Sequence, residues 1–275
     1  RPTPPHAHPH HPPHHRPLPH EKPPAPTAPP PDELQLHVAQ LTGPTPAAAG
    51  APRLVLPPPR ATEIGDFRVA AWLDDSFCRV EPEVLDVMTT AVEALERAGA
   101  RLDHELRPDL EPDRAALIGG GLISVATAIS ETDEEFAATD PSRVLPHRSW
   151  DVLHRERGEI RQRWAEFFTH VDVLLCPVTP VPAFRHVHTA DGSNWSDATL
   201  ADHDDRPYRD LIGWNALIGS VYLPVTVPPI GRTADGLPVG IQVVAPHLED
   251  RTALAFARCI TEVLGGYVPP PLADD

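Results

Sequence analysis

An α/β layered domain is the fold class that this 275-residue chain predicts, and three observations carry it. First, Phe67 to Leu73 reads as a buried strand, Glu81 to Ala98 as an amphipathic helix and Arg101 to Leu106 as a second strand. That order is a βαβ unit, whose right-handed crossover makes the two strands parallel. Second, Val171 to Pro177 is a fully apolar run fed directly by a long helix from Trp150 to His170. Third, Val221 to Val227 and Val239 to Val244 are two apolar runs joined by a connection containing Gly231, Asp235 and Gly236, which reads as two buried strands with turn chemistry between them.

Composition limits the partners. The chain has 23 Lys plus Arg against 39 Asp plus Glu, a formal net charge of −16. Such a surface repels phosphate backbones and anionic lipid, so nucleic acid and membrane surfaces are not expected partners. No apolar run approaches the roughly 18 residues of a membrane span, and the N-terminus has no apolar signal core. Cys78, Cys176 and Cys259 are widely separated, without paired spacing, which reads as three reduced thiols in a cytoplasmic protein. The chain begins with Arg1 and its only methionine is Met88. Either the start has been processed or the chain is a piece of something longer.

Residues 1–31 are dominated by Pro and His, with seven histidines in the first twenty positions. So few large apolar side chains cannot offset the entropy of ordering, and the segment is expected to be disordered or polyproline-like. His6, His8, His10, His11, His14 and His15 could ligate zinc, nickel or copper, yet a solvated low-complexity tract is the simpler reading. Residues 32–66 follow as a short helix from Asp32 to Leu41 and a Pro/Ala linker, and residues 67–272 form the main domain.

Within that domain Val84, Leu85, Met88, Val92 and Leu95 recur at helical spacing and Gly99 supplies a stop. Glu111 to Ser130 is helical but interrupted by Gly119, Gly120 and Gly121. No P-loop or nucleophile-elbow spacing surrounds these glycines, so a close helix contact or a kink explains them best. Leu153, Ile160, Trp164, Phe167 and Phe168 line one side of the Trp150 helix. Cys176, at a strand end, has no identifiable histidine partner to make it a nucleophile. His186, His188 and the His203, Asp204, Asp205 cluster fall in a polar stretch and read as exposed. Tyr208 to Leu217 and Asp250 to Leu264 are helices, the latter capped at Gly265 and Gly266.

Val171-Asp-Val-Leu-Leu-Cys-Pro-Val-Thr-Pro-Val-Pro-Ala183, Trp214-Asn-Ala-Leu-Ile-Gly-Ser-Val-Tyr-Leu-Pro-Val-Thr-Val-Pro228 and Gly236-Leu-Pro-Val-Gly-Ile-Gln-Val-Val244 resemble the C-terminal half of amidase signature family enzymes. The resemblance covers about Asp32 to Leu272. It implies an α/β/α sandwich around a mixed sheet that lacks its N-terminal half, and an activity of amide or ester hydrolysis. It also implies a Ser nucleophile, a bridging cis-Ser, a Lys base and an oxyanion hole, because an unactivated amide needs a deprotonated nucleophile and preorganised donors. No cofactor or metal belongs to that chemistry.

The family places those catalytic residues in a Gly/Ser-rich segment upstream of everything that matches here, where this sequence carries its Pro/His tract. Lys22, in that tract, is the only lysine, and arginine cannot replace it as a base near neutral pH. The expectation is therefore a C-terminal segment with no catalytic residue of its own, inactive alone, whose small-molecule amide substrate binds only if the other half completes the site. A frameshift, a truncated gene and genuine loss of activity all fit, as do a non-catalytic pseudoenzyme, a ligand- or partner-binding protein and a His-rich metal-binding module. Asn215, Gly219, Gln242, Trp150 and Trp214 are the expected substrate-side wall, and an uncovered sheet edge or face should promote self-association.

Overall fold

The computed structural model describes residues 34, 35, 38, 54–128, 134, 145–185, 200, 203 and 206–269. The Pro/His tract with Lys22, most of the linker, His186, His188, Asp204 and Asp205 lie outside these. Leu34, Gln35 and Val38 are helical.

The strand β1 (Arg68–Ala71), the helix α1 (Pro82–Arg97) and the strand β2 (Arg101–Asp103) form the expected βαβ unit, with β1 and β2 parallel in the register Val69↔Leu102. Pro82 starts α1, where a missing N–H costs nothing. Gly99, at φ +104°, ends it while the Ala100 N–H returns to the Leu95 carbonyl at 2.9 Å. Strand β2 stops earlier than its sequence suggests because the Asp103 carboxylate accepts the backbone N–H of Glu105 (2.9 Å) and Leu106 (2.8 Å), turning the chain away.

Helix α2 (Pro112–Ala128) runs unbroken through the three glycines, and α3 (His147–His170) leads into β3 (Val173–Pro177). Gly119 explains why glycine is needed in α2. A Cβ there would sit 2.7 Å from the Ala216 carbonyl oxygen and 2.9 Å from Ser220 Cβ, which is the expected close helix contact. A 3₁₀ turn (Tyr208–Ile212) precedes α4 (Gly213–Gly219), then come β4 (Val225–Thr226), β5 (Pro229–Arg232), β6 (Pro238–Val244) and α5 (Asp250–Leu264).

The sheet order is β2-β1-β3-β6-β4, with β5 also on β6. β1 and β3 are parallel, β3 and β6 antiparallel, so the sheet is mixed. All five residues of β3 are buried, which requires cover on both faces. Helices α1 and α5 pack together on the sheet, and α2 packs against α3 and α4. This is the expected α/β/α sandwich. Phe67 meets Phe256 edge-on at 5.0 Å, joining the start of β1 to α5, and Trp214 packs edge-on against Trp72 (5.3 Å) and Phe77 (4.7 Å).

The stretch expected to be two buried strands differs. Val221 and Tyr222 form a turn, with Tyr222 in the left-handed region at φ 65°. Val225↔Val244, Thr226↔Val243 and Pro229↔Gly240 share one antiparallel register, so β4 and β5 are a single arm along β6. Pro228 and Pro229 interrupt it because proline donates nothing to a ladder. Half of the arm is exposed, and the reversal itself is confined to Thr233–Gly236, where Gly236 N–H bonds the Thr233 carbonyl at 2.9 Å. Local hydrophobicity marks the arm correctly but places its turn too early.

Candidate active-site wall

Helix and strand geometry converge on the carboxyl end of β3, the place where sheets of this class put ligands. Pro177 lies opposite Ile241 and Cys176 opposite Gln242. Gln242, 2% exposed, turns its amide along the sheet and donates Nε2–H to the Pro177 carbonyl at 2.6 Å. Asn215, on α4, donates Nδ2–H to the next carbonyl, that of Val178, at 3.1 Å, and to Leu211 at 3.4 Å. The Pro180 carbonyl accepts the Glu81 N–H at 2.8 Å, and Thr179 Oγ1 donates to the Val181 carbonyl at 2.8 Å. The segment after β3 is thus fixed carbonyl by carbonyl. Beside it lies a cleft of about 180 Å³ lined by Val84, Val178, Thr179, Val227, Val239 and Gly240 among others.

Of the five residues expected to face substrate, the fold brings Asn215 and Gln242 to one segment. Gly219 is exposed at the end of α4, with open space where a Cβ would be. Trp214 is fully buried and donates Nε1–H to the Cys78 carbonyl at 3.0 Å, so it is packed behind α4. Trp150 is half-buried on α3, stacked between His147 (6.0 Å) and His154 (4.9 Å) of its own helix.

His203, which reads as exposed in the sequence, is enclosed by the fold. Its side chain is 9% accessible, its Nδ1 lies 3.0 Å from both carboxylate oxygens of Glu81, and Phe184 packs edge-on at 6.2 Å. Arg206 reaches the same region, donating to the carbonyls of Arg79 and Pro180 and pairing with Asp210 at 3.4 Å. A polar loop of sequence cannot reveal this, because Glu81 lies at the start of α1, more than a hundred residues away.

Among the described residues, the thiols near the wall are not activated. Burial pushes the Cys176 thiol far above its ordinary range, and burial followed by the charge of Asp210 raises Cys78 to about 11. Both stay protonated near neutral pH. Ser220 is buried where α4 meets Gly119 of α2. Among the described residues there is no lysine and no group of three His, Cys, Asp or Glu placed to hold a metal ion, and no helix is long and apolar enough to cross a membrane.

Comparisons with known proteins agree with the fold. The family model described as Amidase matches residues 143–254, which contain Gln242, Asn215 and all of β3. The chain is similar to the 2-amino-5-chloromuconic acid deaminase of Comamonas testosteroni, at 25% identity over 76% of this chain and 46% of that protein. It is similar to a fatty-acid amide hydrolase of Danio rerio, at 29% identity over 43% of this chain and 19% of the relative. Its fold resembles that of a bacterial aryl acylamidase of the amidase signature family, with TM-score 0.58 and 18% identity over 74% of this chain and 44% of that one. The chain therefore spans less than half the length of each of these relatives.

Proposed function

We propose, for a chain that belongs to the amidase signature family and carries the C-terminal part of its domain, that it forms one wall of an acyl-nitrogen hydrolase site. The observation that supports this reading is the pair of amides, Asn215 and Gln242, that fix the Val178 and Pro177 carbonyls at the carboxyl end of β3. A reacting amide needs an unmoving surface against which the nucleophile and oxyanion donors are positioned, since misplacement by about 1 Å costs on the order of 100-fold in rate. The substrate is a small amide, carbamate or related compound. The Ser that attacks it, the bridging cis-Ser and the Lys base come from a polypeptide segment other than the described residues.

The test uses the 275-residue chain with a panel of aryl amides and a serine-directed fluorophosphonate probe. No turnover and no labelling are expected from the chain alone, and turnover should appear when a polypeptide bearing the Ser/Lys segment of the fold is supplied. Turnover by the chain alone that disappears on Ser220→Ala would overturn the reading. A second reading, a partner-binding protein without catalysis, is favoured by the outer face of α2, where Leu117 is 66% and Ile123 42% exposed. Stable complex formation with the supplied segment, without turnover, would select it.

A further inference from the structure

The opposite end of β3 holds a larger cavity, of about 650 Å³, between α3 and the turn that precedes β4. Its size suits a small molecule. Trp164, Phe168, Val221, Leu223 and Pro246 give it apolar walls, and Arg60, Arg161, Gln162, Thr169 and His247 give it polar ones. No carboxylate among the described residues lines it, in a chain whose net charge is −16.

The cations here differ in what they have left to offer. Arg60 is neutralised by Glu249 and Asp172. Arg161 is not: its guanidinium stands 5.3 Å from the centre of the Tyr222 ring, with Arg157 also over that ring at 4.6 Å, and neither forms an ion pair among the described residues. Of the four carboxylates of α3, Glu156 pairs with Arg114, Asp151 with Arg155 and Glu166 with His170, and Glu159 forms an ion pair neither with Arg161 nor with any other described residue. Tyr222 is held for this contact in left-handed backbone, at φ 65°, while its carbonyl accepts His247 Nδ1–H at 2.9 Å. The His247 Nε2 then remains for a second partner. Beneath them Trp164 is 1% exposed, and its Nε1–H, buried, has no hydrogen-bond acceptor among the described residues. A buried indole N–H ordinarily has one.

A guanidinium with no ion pair among the described residues, set over an apolar floor, calls for one occupant: an anion carried on a flat hydrocarbon body. We propose that this cavity is a binding site for an aryl carboxylate, with Arg161 as its charged contact and Trp164 and Phe168 among its apolar walls. A phosphate would lose the benefit of the apolar walls, and a neutral amide would leave Arg161 unmatched. The site is separate from the wall at the carboxyl end of β3, and it needs no catalysis to be occupied.

The experiment titrates phenylacetate and phenylacetamide into the full chain, followed by calorimetry and by the ¹H–¹⁵N indole resonances of its five tryptophans. Phenylacetate should bind about tenfold more tightly than the amide, and it should shift the Trp164 resonance. Arg161→Gln should remove that tenfold preference while leaving the amide unaffected, and Arg161→Lys should retain part of it. Trp164→Phe should abolish the assigned shift while the preference for the acid over the amide persists. Equal affinity for acid and amide, a preference untouched by Arg161→Gln, or an absence of heat and of any Trp164 shift up to about 10 mM would each overturn the proposal.

Discussion

Gln242 Nε2 donates to the carbonyl oxygen of Pro177 at 2.6 Å, tying the last residue of β3 to the middle of β6 by a side chain. The neighbouring carbonyl, Val178, is tied to α4 by Asn215. Two elements that are far apart in sequence therefore agree on where the end of β3 stands.

Gln242→Leu should be costly. It leaves the Pro177 carbonyl buried without its donor, a loss of about 1–3 kcal/mol, read as a fall of roughly 2–10 °C in Tm by circular dichroism. Asn215→Ala, at an exposed position, should cost about 0.5–1.5 kcal/mol. The double variant should fall short of or exceed the sum, because both bonds fix one segment. Strict additivity would show that the two amides act independently.

Arg60 fastens the chain ahead of the domain to three elements. It donates to both carboxylate oxygens of Glu249 at 2.6 and 2.7 Å, to the Phe168 carbonyl at 2.8 Å and to the Val171 carbonyl at 3.1 Å. Arg60→Met keeps the aliphatic stem and removes the fork, and should lower stability by about 1–3 kcal/mol. Limited proteolysis should then cut near residue 60 faster, and unchanged protection there would show that the fork contributes little.

Asp172 makes stability fall in acid. Burial by itself would raise its carboxyl, but the side-chain and backbone hydrogen bonds from Arg68, with its charge and that of Arg60, hold it below the ordinary carboxylate value. A lowered folded-state value means that the contribution is complete above the unfolded value, near pH 4, and is lost as pH falls through the folded one. Asp172→Asn should be destabilised at pH 7 and should show a shallower loss of stability below about pH 4. Urea unfolding at a series of pH values measures both.

Gly119 and Gly120 should respond oppositely to alanine. At Gly119 the new methyl meets backbone, the Ala216 carbonyl at 2.7 Å, so α2 and α4 must separate at a cost of about 1–3 kcal/mol. At Gly120 nothing lies within 4 Å of the Cβ position, and helix propensity should raise stability by up to about 1 kcal/mol. Equal effects in thermal unfolding would mean that the α2–α4 contact is looser than the structure places it.

The helices were legible in the sequence because their signals are local. The Val84 to Leu95 spacing and Gly99 define α1, and Asp250 to Leu264 with Gly265 defines α5. The apolar run of β3 required burial on both faces, and the motifs around it pointed to the amidase fold. The register of β4 and β5 on β6 was not legible, since it rests on partners across the ladder and on a Tyr222 backbone conformation that tyrosine does not advertise.

The sequence by itself determined the elements, the family and the identity of Asn215 and Gln242, because periodicity, capping and motif spacing are all contained within short windows of chain. Tertiary structure alone decided what those residues do. Only folding could set Gln242 against Pro177, withdraw Trp214 into the core, enclose His203 against Glu81 and set Arg161 over the Tyr222 ring with no ion pair among the described residues. Each of these depends on which distant groups compete for the same hydrogen bond or charge, and that competition exists only once the chain is packed.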